Sequence, residues 1–253
     1  MVKKVAYINI RLEIILMALP KVVLPTYELE LPSNGKKLKY RPFVVKEEKL
    51  LLLALETNDE KEIEKAVKNL LKGCVLSRIK VEDLPVFDLE YIFLNIRSVS
   101  VGSEVEMKVV CKDDNKTEVA YNLDLTEVKV TKPPKYDPKI MLTDDMGVIM
   151  KHAGWSEFIT GSVMGSAPTA DGIVELVAGC VDQIFDKEDV YDSSTTSKKE
   201  FTEFIEGLTN TQFEKLQDFF ASSPRMEHKF SVKNPNTGEM SEFVITGLAN
   251  FFG

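Results

Sequence analysis

Two short segments near the start of the chain alternate between apolar and polar residues. Residues 27–31 read Y-E-L-E-L, and a second alternating segment at 38–43 follows the sequence P-S-N-G at 32–35. Alternation with a period of two is typical of a strand with one buried face, and Asn-Gly between two such segments favours a tight turn. The pattern therefore predicts a β-hairpin.

The spacing of apolar residues becomes helical from Lys46 onward. Residues 46–56 read K-E-E-K-L-L-L-L-A-L-E, with acidic residues in the first turn and strong helix formers throughout. Leucines cover nearly every face of the helix that this segment would form. Because a helix that is apolar all round is normally buried by several neighbours, the pattern predicts that this helix is the centre of the N-terminal core.

Two more helical patterns and a second hairpin complete the first half of the chain. Residues 59–72 carry apolar side chains at helical spacing opposite a charged face, and residues 86–99 form a third, strongly apolar helix. Alternating segments at 104–110 and 117–125 predict another hairpin. The first half is therefore predicted to be α+β, with a hairpin, three helices and a second hairpin.

Consecutive prolines at 133 and 134 mark a boundary, because they disfavour both a helix and a central strand. We predict an N-terminal α+β domain at 17–131, a Pro-rich linker at 132–138 and a C-terminal domain at 139–253. The last of these is expected to be mainly helical and to end in a β-hairpin. Its predicted elements are short strands at 139–142 and 148–150, helices at 173–185, 198–208 and 210–222, an acidic loop at 186–197, and a hairpin of 228–232 with 241–248.

The first sixteen residues resemble a signal peptide in their early lysines and in the apolar run that follows. Arg11 and Glu13 interrupt that run, and a membrane span needs roughly 20 apolar residues, so we expect neither a secretory signal nor a span. Met17 opens a sequence that reads like the start of a domain. Residues 1–16 are therefore either an N-terminal extension or an ordinary edge strand or short helix.

Charge and cysteine content restrict the classes of partner. The formal net charge of −8 gives no general basic field that would attract nucleic acid or an anionic membrane, so we expect neither as a partner. Three cysteines, Cys74, Cys111 and Cys180, lie far apart, which is typical of a reducing compartment. The sequence predicts a cytosolic chain whose partners are proteins.

No pattern in the chain indicates an enzyme, a metal site or a cofactor. The sequence lacks phosphate-binding glycine loops, the nucleophile motif G-x-S-x-G and the zinc motif H-E-x-x-H. Asp144 and Asp145 are paired carboxylates that could serve acid–base chemistry or hold a cation, but adjacent carboxylates in a turn more often face water. His152 beside Trp155 lacks a second titratable group at fixed spacing. We therefore predict no enzyme and no cofactor.

Several stretches of the chain resemble a known family. They are M-A-L-P at 17–20, P-T-Y-E-L at 25–29, Y-R-P-F-V-V-K-E-E-K-L-L at 40–51 and F-D-L-E-Y at 87–91. In these stretches the chain resembles the baseplate hub assembly proteins of T-even-type contractile-tailed bacteriophages. The similarity runs from about Met17 to the C-terminus, is strongest over 17–101, and includes the Phe-Phe ending.

The resemblance implies a non-enzymatic protein of tail morphogenesis that binds baseplate hub subunits in the host cytoplasm and assists hub assembly. The first alternative is a stable minor structural component of the hub in the virion, and the second is a metal-dependent hydrolase acting at Asp144 and Asp145. Homo-oligomerisation stays open. The residues expected to contact the partner are Tyr40, Arg41, Phe43, Lys46, Glu47, Phe251 and Phe252.

Some members of the family that the chain resembles carry cysteine pairs in the two predicted hairpins at 104–125 and 228–248, like small zinc ribbons. This chain keeps only Cys111 in the first hairpin and has K-N-P-N at 233–236 in the second. One thiolate does not make a four-ligand site, so the resemblance does not carry a zinc site over to this chain. We expect the two turns to be held by hydrogen bonds and packing alone.

Overall fold

A computed structural model describes residues 22–57, 59–131, 137–159, 169–192 and 194–247 of the chain. Within these ranges the α-helices are α1 (Val45–Thr57), α2 (Glu60–Cys74), α3 (Val86–Val101), the single turn α4 (Trp155–Glu157), α5 (Ala170–Gly179), α6 (Lys198–Glu206) and α7 (Asn210–Ala221). The strands are β1 (Tyr27–Glu30), β2 (Lys37–Tyr40), β3 (Glu104–Val110), β4 (Glu118–Asp124), β5 (Lys129–Thr131), β6 (Lys139–Met141), β7 (Gly147–Met150), β8 (Val181–Phe185), β9 (Val190–Asp192), β10 (Arg225–Lys233) and β11 (Met240–Thr246).

The described strands form four small antiparallel sheets. Two of them are the hairpins β1–β2 and β3–β4, which lie where the alternating patterns predict them. A three-stranded sheet has the order β11-β10-β5, and a four-stranded sheet has the order β6-β7-β8-β9. Since each pairing is antiparallel and most connections are short, sequence neighbours are mostly sheet neighbours.

The first hairpin is fixed to α3 by a buried carboxylate. Ser33, in the turn between β1 and β2, donates to Asp88 from its backbone nitrogen (3.0 Å to Oδ1) and from its hydroxyl (2.5 Å to Oδ2). Asp88 is fully buried, and a buried charge is stable only where donors of this kind surround it. The hairpin and α3 are therefore held together by polar as well as apolar contacts.

The prediction of a mainly helical C-terminal half is wrong, because residues 139–247 contain six strands, β6 to β11. The largest error is at 173–185, predicted as one helix. The helix α5 ends at Gly179, and β8 follows after one residue. Another strand, β9, lies within the segment predicted as an acidic loop.

Two pairings explain why residues 181–185 form a strand. Val181 and Ile184 follow Val177 at four- and seven-residue spacing, so the apolar pattern fits the continuation of α5. The segment V-D-Q-I-F is also rich in β-branched and aromatic residues, and β8 pairs with β7 on one side and β9 on the other. Pairing with β7, which is distant in the sequence, and with β9, which follows after a short turn, therefore overrides the local helical spacing.

The described residues bury two apolar clusters. The larger lies among β1, β2, α2, α3 and the β3–β4 hairpin, and the smaller lies between the four-stranded sheet and helices α5, α6 and α7. Phe158 and Met226 belong to the larger cluster, and β10 pairs with β5, so parts of the C-terminal half complete the N-terminal core. The boundary at 132–138 stays a prediction, since residues 132–136 lie outside the described ranges, as does the extension at 1–16.

Candidate partner-binding surface

Helix α1 lies at the surface, and the prediction that it is the centre of the N-terminal core is wrong. Its apolar residues with large exposed fractions are Val45 (79%), Leu50 (51%), Leu52 (54%) and Leu53 (48%). Among its residues only Ala54 is buried, whereas α3 buries Phe87, Leu89, Ile92, Leu94 and Ile96 and is the central helix. Exposed leucines concentrated in two helical turns are typical of a surface that binds another molecule.

A groove of about 490 Å³ runs between α1 and α2. Its lining residues are Glu47, Leu50, Leu53, Ala54, Thr57, Glu62, Lys65, Ala66, Asn69 and Leu70. Lys46, Leu50, Leu53 and Thr57 follow one another at intervals of four, three and four residues, so they share one face of α1. The leucines on this face therefore form one wall of the groove, and its floor contains the small side chains of Ala54 and Ala66.

An ion pair closes one end of the groove. The guanidinium of Arg41 donates to both carboxylate oxygens of Glu47, with Nη2 2.7 Å from Oε1 and Nη1 2.9 Å from Oε2. The same carboxylate accepts from the backbone nitrogen of Val44 at 2.9 Å, which satisfies one of the free N–H groups at the start of α1. Arg41 is fixed in turn to the end of α2, because its backbone nitrogen donates to the carbonyl of Cys74 at 2.9 Å.

These contacts shift three pKa values. Hydrogen bonds from Arg41 lower the pKa of Glu47, and the hydrogen bond from the Val44 N–H lowers it too. The hydrogen bond to Glu47 raises the pKa of Arg41. Burial, and after it the neighbouring charge of Glu47, raise the pKa of the Cys74 thiol to about 12. Glu47 is therefore ionised at neutral pH, and Cys74 is a protonated, unreactive side chain.

Gly73 is a close neighbour of the ion pair. A Cβ at this position would lie 2.6 Å from Oε1 of Glu47 and 3.4 Å from Nη2 of Arg41. Any larger residue would therefore displace the carboxylate from the start of α1. This role could not be read from the local sequence, because it depends on a side chain 26 positions away.

The pH dependence of stability should report this ion pair. The folded-state pKa of Glu47 lies below its usual value of 4.5, so its stabilising effect is complete above about pH 4.5 and disappears as the pH falls through the folded-state pKa. We expect Glu47→Gln to lower the free energy of unfolding at pH 7 by about 1–2 kcal/mol, and the difference from the parent chain to shrink below pH 4.5. Urea unfolding at pH 7 and pH 3.5 measures both values.

Glu48→Gln is the matched control, since it removes the same charge from the same helical turn. We expect it to change the free energy of unfolding by less than about 0.5 kcal/mol at pH 7. If Glu47→Gln has the same small effect as Glu48→Gln, the ion pair with Arg41 does not stabilise the fold.

The structure places the residues predicted to contact a partner at different depths. Tyr40 is buried, with its ring 5.6 Å from that of Tyr27 across the hairpin. Phe43 packs against the larger core, and its backbone nitrogen donates to the hydroxyl of Ser100 at 2.9 Å. Lys46 is exposed on the groove face of α1.

Of the predicted contact residues, Arg41, Lys46 and Glu47 lie together at one end of the groove. Phe251 and Phe252 lie outside the described residues. Leu50 and Leu53, which the sequence pattern placed in the core, line the groove and are about half exposed. Their exposure could not be read from the local pattern, because an apolar helix has the same sequence whether its covering surface belongs to its own chain or to another.

Side-chain hydrogen bonds join the turns of two hairpins, β3–β4 and β10–β11, and we call this group of contacts the clasp. The carboxylate of Asp113 accepts from Nδ2 of Asn234 at 2.9 and 3.1 Å and from the hydroxyl of Thr237 at 2.5 Å. Nδ2 of Asn236 donates to the hydroxyl of Thr117 at 2.9 Å. Hydrogen bonds from Thr237 and Asn234 also lower the pKa of Asp113. These bonds agree with the expectation that polar contacts hold the two turns.

The candidate chemical groups are used in other contacts. Asp145 forms an ion pair with Lys187 at 2.7 Å. His152 lies between Phe87 and Phe219, with ring centroids 5.0 and 6.0 Å away, and burial lowers its pKa. In the described part of the chain, no group of three or more His, Cys, Asp or Glu side chains is arranged to hold a metal ion.

Comparison with known proteins identifies a family whose model matches most of this chain. The model of the family described as T4 bacteriophage base plate protein matches residues 24–253. No curated protein and no solved structure matches the chain. Among the described helices, none combines the length and the apolar composition needed to cross a membrane. The match covers the groove, the clasp and both apolar clusters.

Proposed function

The chain belongs to the T4 bacteriophage base plate protein family, and from this premise we propose that it assists assembly of the baseplate hub by binding hub subunits. Membership makes it a phage protein of the baseplate, where it interacts with other baseplate proteins. The hub as the place of action and assembly as the role are our proposals. The resemblance at 40–51 and 87–91 supports them.

The single observation that carries the proposed role is the exposed leucine face of α1. Leu50 and Leu53 leave about half of their surface in water, and burying such side chains in an interface contributes about 25 cal/mol per Å² of apolar area. A chain that works alone would gain stability by burying these side chains in its own fold. A chain whose partner covers them gains binding free energy instead, so this surface suits a protein that binds subunits.

We propose that the role is not enzymatic. Asp145 forms an exposed ion pair with Lys187, the Cys74 thiol is protonated, and the described residues include no group of three or more side chains arranged to hold a metal ion. Replacing Asp144 and Asp145 together with alanine should leave phage assembly unchanged. A loss of assembly that depends on a divalent metal would contradict this proposal and favour a metal-dependent hydrolase.

Inactivation of the gene in the phage tests the proposed role directly. We expect infected cells that lack this chain to accumulate incomplete baseplates without completed hubs, which electron microscopy and the protein content of purified intermediates would show. Completed hubs in normal amount would contradict the proposal. Mass spectrometry of purified virions then separates two roles, because a transient assembly factor is absent from virions and a stable minor component is present at fixed stoichiometry.

A further inference from the structure

We propose that the occupant of the α1–α2 groove is an amphipathic helix of another baseplate protein, with an apolar stripe and a cationic end. This inference rests on the proposed function, because it names the chemistry of the partner at the same surface. Three properties of the groove carry it: its shape, its length and the distribution of charge along it.

The groove lies between two neighbouring helices, and its shape would accept a third helix packed against both. Since Gly73 at the end of α2 meets Glu47 at the start of α1, the two helices run antiparallel. Small side chains, Ala54 and Ala66, form the floor between Leu53 and Leu70. Small residues let the backbone of a third helix approach to the usual interaxial distance of about 8–10 Å, with its apolar side chains between the two walls.

The length of the groove sets the length of the helix. Glu47 and Thr57 mark its two ends along α1 and are ten residues apart. At 1.5 Å per residue this is about 15 Å, or nearly three helical turns. An occupant of 10 to 14 residues with apolar side chains at i, i+3 or i+4, and i+7 would therefore fill it.

Charge is distributed unevenly between the two ends. The end at which α1 leads into α2 has four carboxylates, those of Glu56, Asp59, Glu60 and Glu62. Lys61 and Lys65 offset part of this charge. At the opposite end of α1, Glu47 is paired with Arg41, and Lys46 and Lys49 outweigh Glu48, so that end is not acidic. An occupant with lysine or arginine over the acidic end complements this distribution, and one with a carboxylate there is repelled.

A second copy of this chain fits the groove less well than a cationic partner. Each copy carries a formal charge of −8, so two copies repel one another. The exposed leucine helix of a copy carries Glu47, Glu48 and Glu56 against Lys46 and Lys49, so it is not cationic overall. The distribution of charge therefore favours a different, more basic partner.

Two model peptides test this inference with the full chain. Both are 14 residues long and share the same leucine stripe at helical spacing, but one ends in three lysines and the other in three glutamates. We expect fluorescence anisotropy at 50 mM salt to show at least tenfold tighter binding of the lysine-ended peptide. The ratio should shrink at 500 mM salt, since screening weakens the contribution of exposed charges.

Three variants separate the contributions to binding. Glu56→Lys combined with Glu62→Lys should reverse the preference between the peptides, and Leu53→Glu should abolish the binding of both. Glu206→Lys combined with Glu214→Lys is the matched control, because it changes the net charge by the same amount at exposed positions of α6 and α7. We expect this control to keep at least a fivefold preference for the lysine-ended peptide.

Each other outcome contradicts a specific part of the inference. Equal binding of the two peptides, lost in Leu53→Glu, would show that the cationic end is wrong, while the groove and the proposed function stand. No binding of either peptide would overturn the helical occupant. A dimer that depends on Leu53 would make a second copy the occupant. Tenfold tighter peptide binding by a chain starting at Met17 would make residues 1–16 the occupant.

Discussion

Replacing Leu50 and Leu53 together with glutamate is expected to abolish the proposed role of the chain in assembly and to leave its fold intact. Both side chains are already about half exposed, so the substitutions remove little buried apolar area from the folded chain. We expect the free energy of unfolding to change by less than about 1 kcal/mol. In a complex, two carboxylates would have to be buried in an apolar groove without partners, which is strongly unfavourable.

The loss of binding should be large. A side chain at the centre of an interface typically contributes about 2 kcal/mol or more, so losing two would weaken binding by a factor of about 1,000. Complementation of a phage whose own gene is inactivated measures the effect as the number of plaques. Thermal unfolding followed by circular dichroism shows whether the variant remains folded.

Val45→Glu combined with Leu52→Glu is the matched control. Both residues are as exposed as the leucines of the groove, but neither lines it, and the change in charge is the same. We expect this control to complement the phage at close to the wild-type level. Full complementation by the groove variant, or equal loss in both variants, would show that the groove is not the binding surface.

Helix α1 also shows which structural properties could be predicted from the sequence alone. Its position and length could be predicted, because leucine, lysine and glutamate favour a helix and acidic residues mark its start. Its burial could not be predicted, because an apolar surface indicates that something covers it without indicating what. For a protein that binds subunits, a pattern typical of a core is also the pattern of a docking surface.

Local patterns were least informative where distant residues decide the conformation. The alternating segments of β1, β2, β3 and β4 could be predicted because both strands of each hairpin lie close together in the sequence. The short strands β8 and β9 belong to a sheet whose other strands begin at Lys139, and the apolar spacing of β8 continues that of α5, although its β-branched and aromatic residues also fit a strand. Strands β6 and β7 of this sheet were predicted, whereas the pairing that adds β8 and β9 to them was not.

The family signature at 40–51 includes residues with structural roles. Tyr40 packs in the core, and Arg41 and Glu47 hold the start of α1 against the end of α2. Their part in binding a partner stays a prediction. The ion pair between Arg41 and Glu47 is a physical reason for this sequence to have an arginine and a glutamate six residues apart, because the pair lies at one end of the groove.

Replacing Asn234 with alanine is expected to destabilise the fold more than any other single change in the clasp. Asn234 is fully buried and donates from Nδ2 to both oxygens of Asp113, while its Oδ1 accepts from the backbone nitrogen of Asn236 at 2.9 Å. Alanine would leave the carboxylate without these donors and would remove the bond that shapes the turn. We expect a loss of about 2–3 kcal/mol, because the buried Asn234 side chain takes part in four hydrogen bonds, each worth roughly 0.5–1.5 kcal/mol net, and because two of them shape the turn.

In a chain of this length, such a loss lowers the melting temperature by roughly 4–12 °C, which calorimetry would detect. Asn236→Ala is the matched control in the same turn, because Asn236 is exposed and loses only the bond to Thr117. Its effect should stay below about 1 kcal/mol. If the two variants melt at the same temperature, the clasp does not hold the hairpins together, and packing between the strands β3–β4 and β10–β11 does so instead.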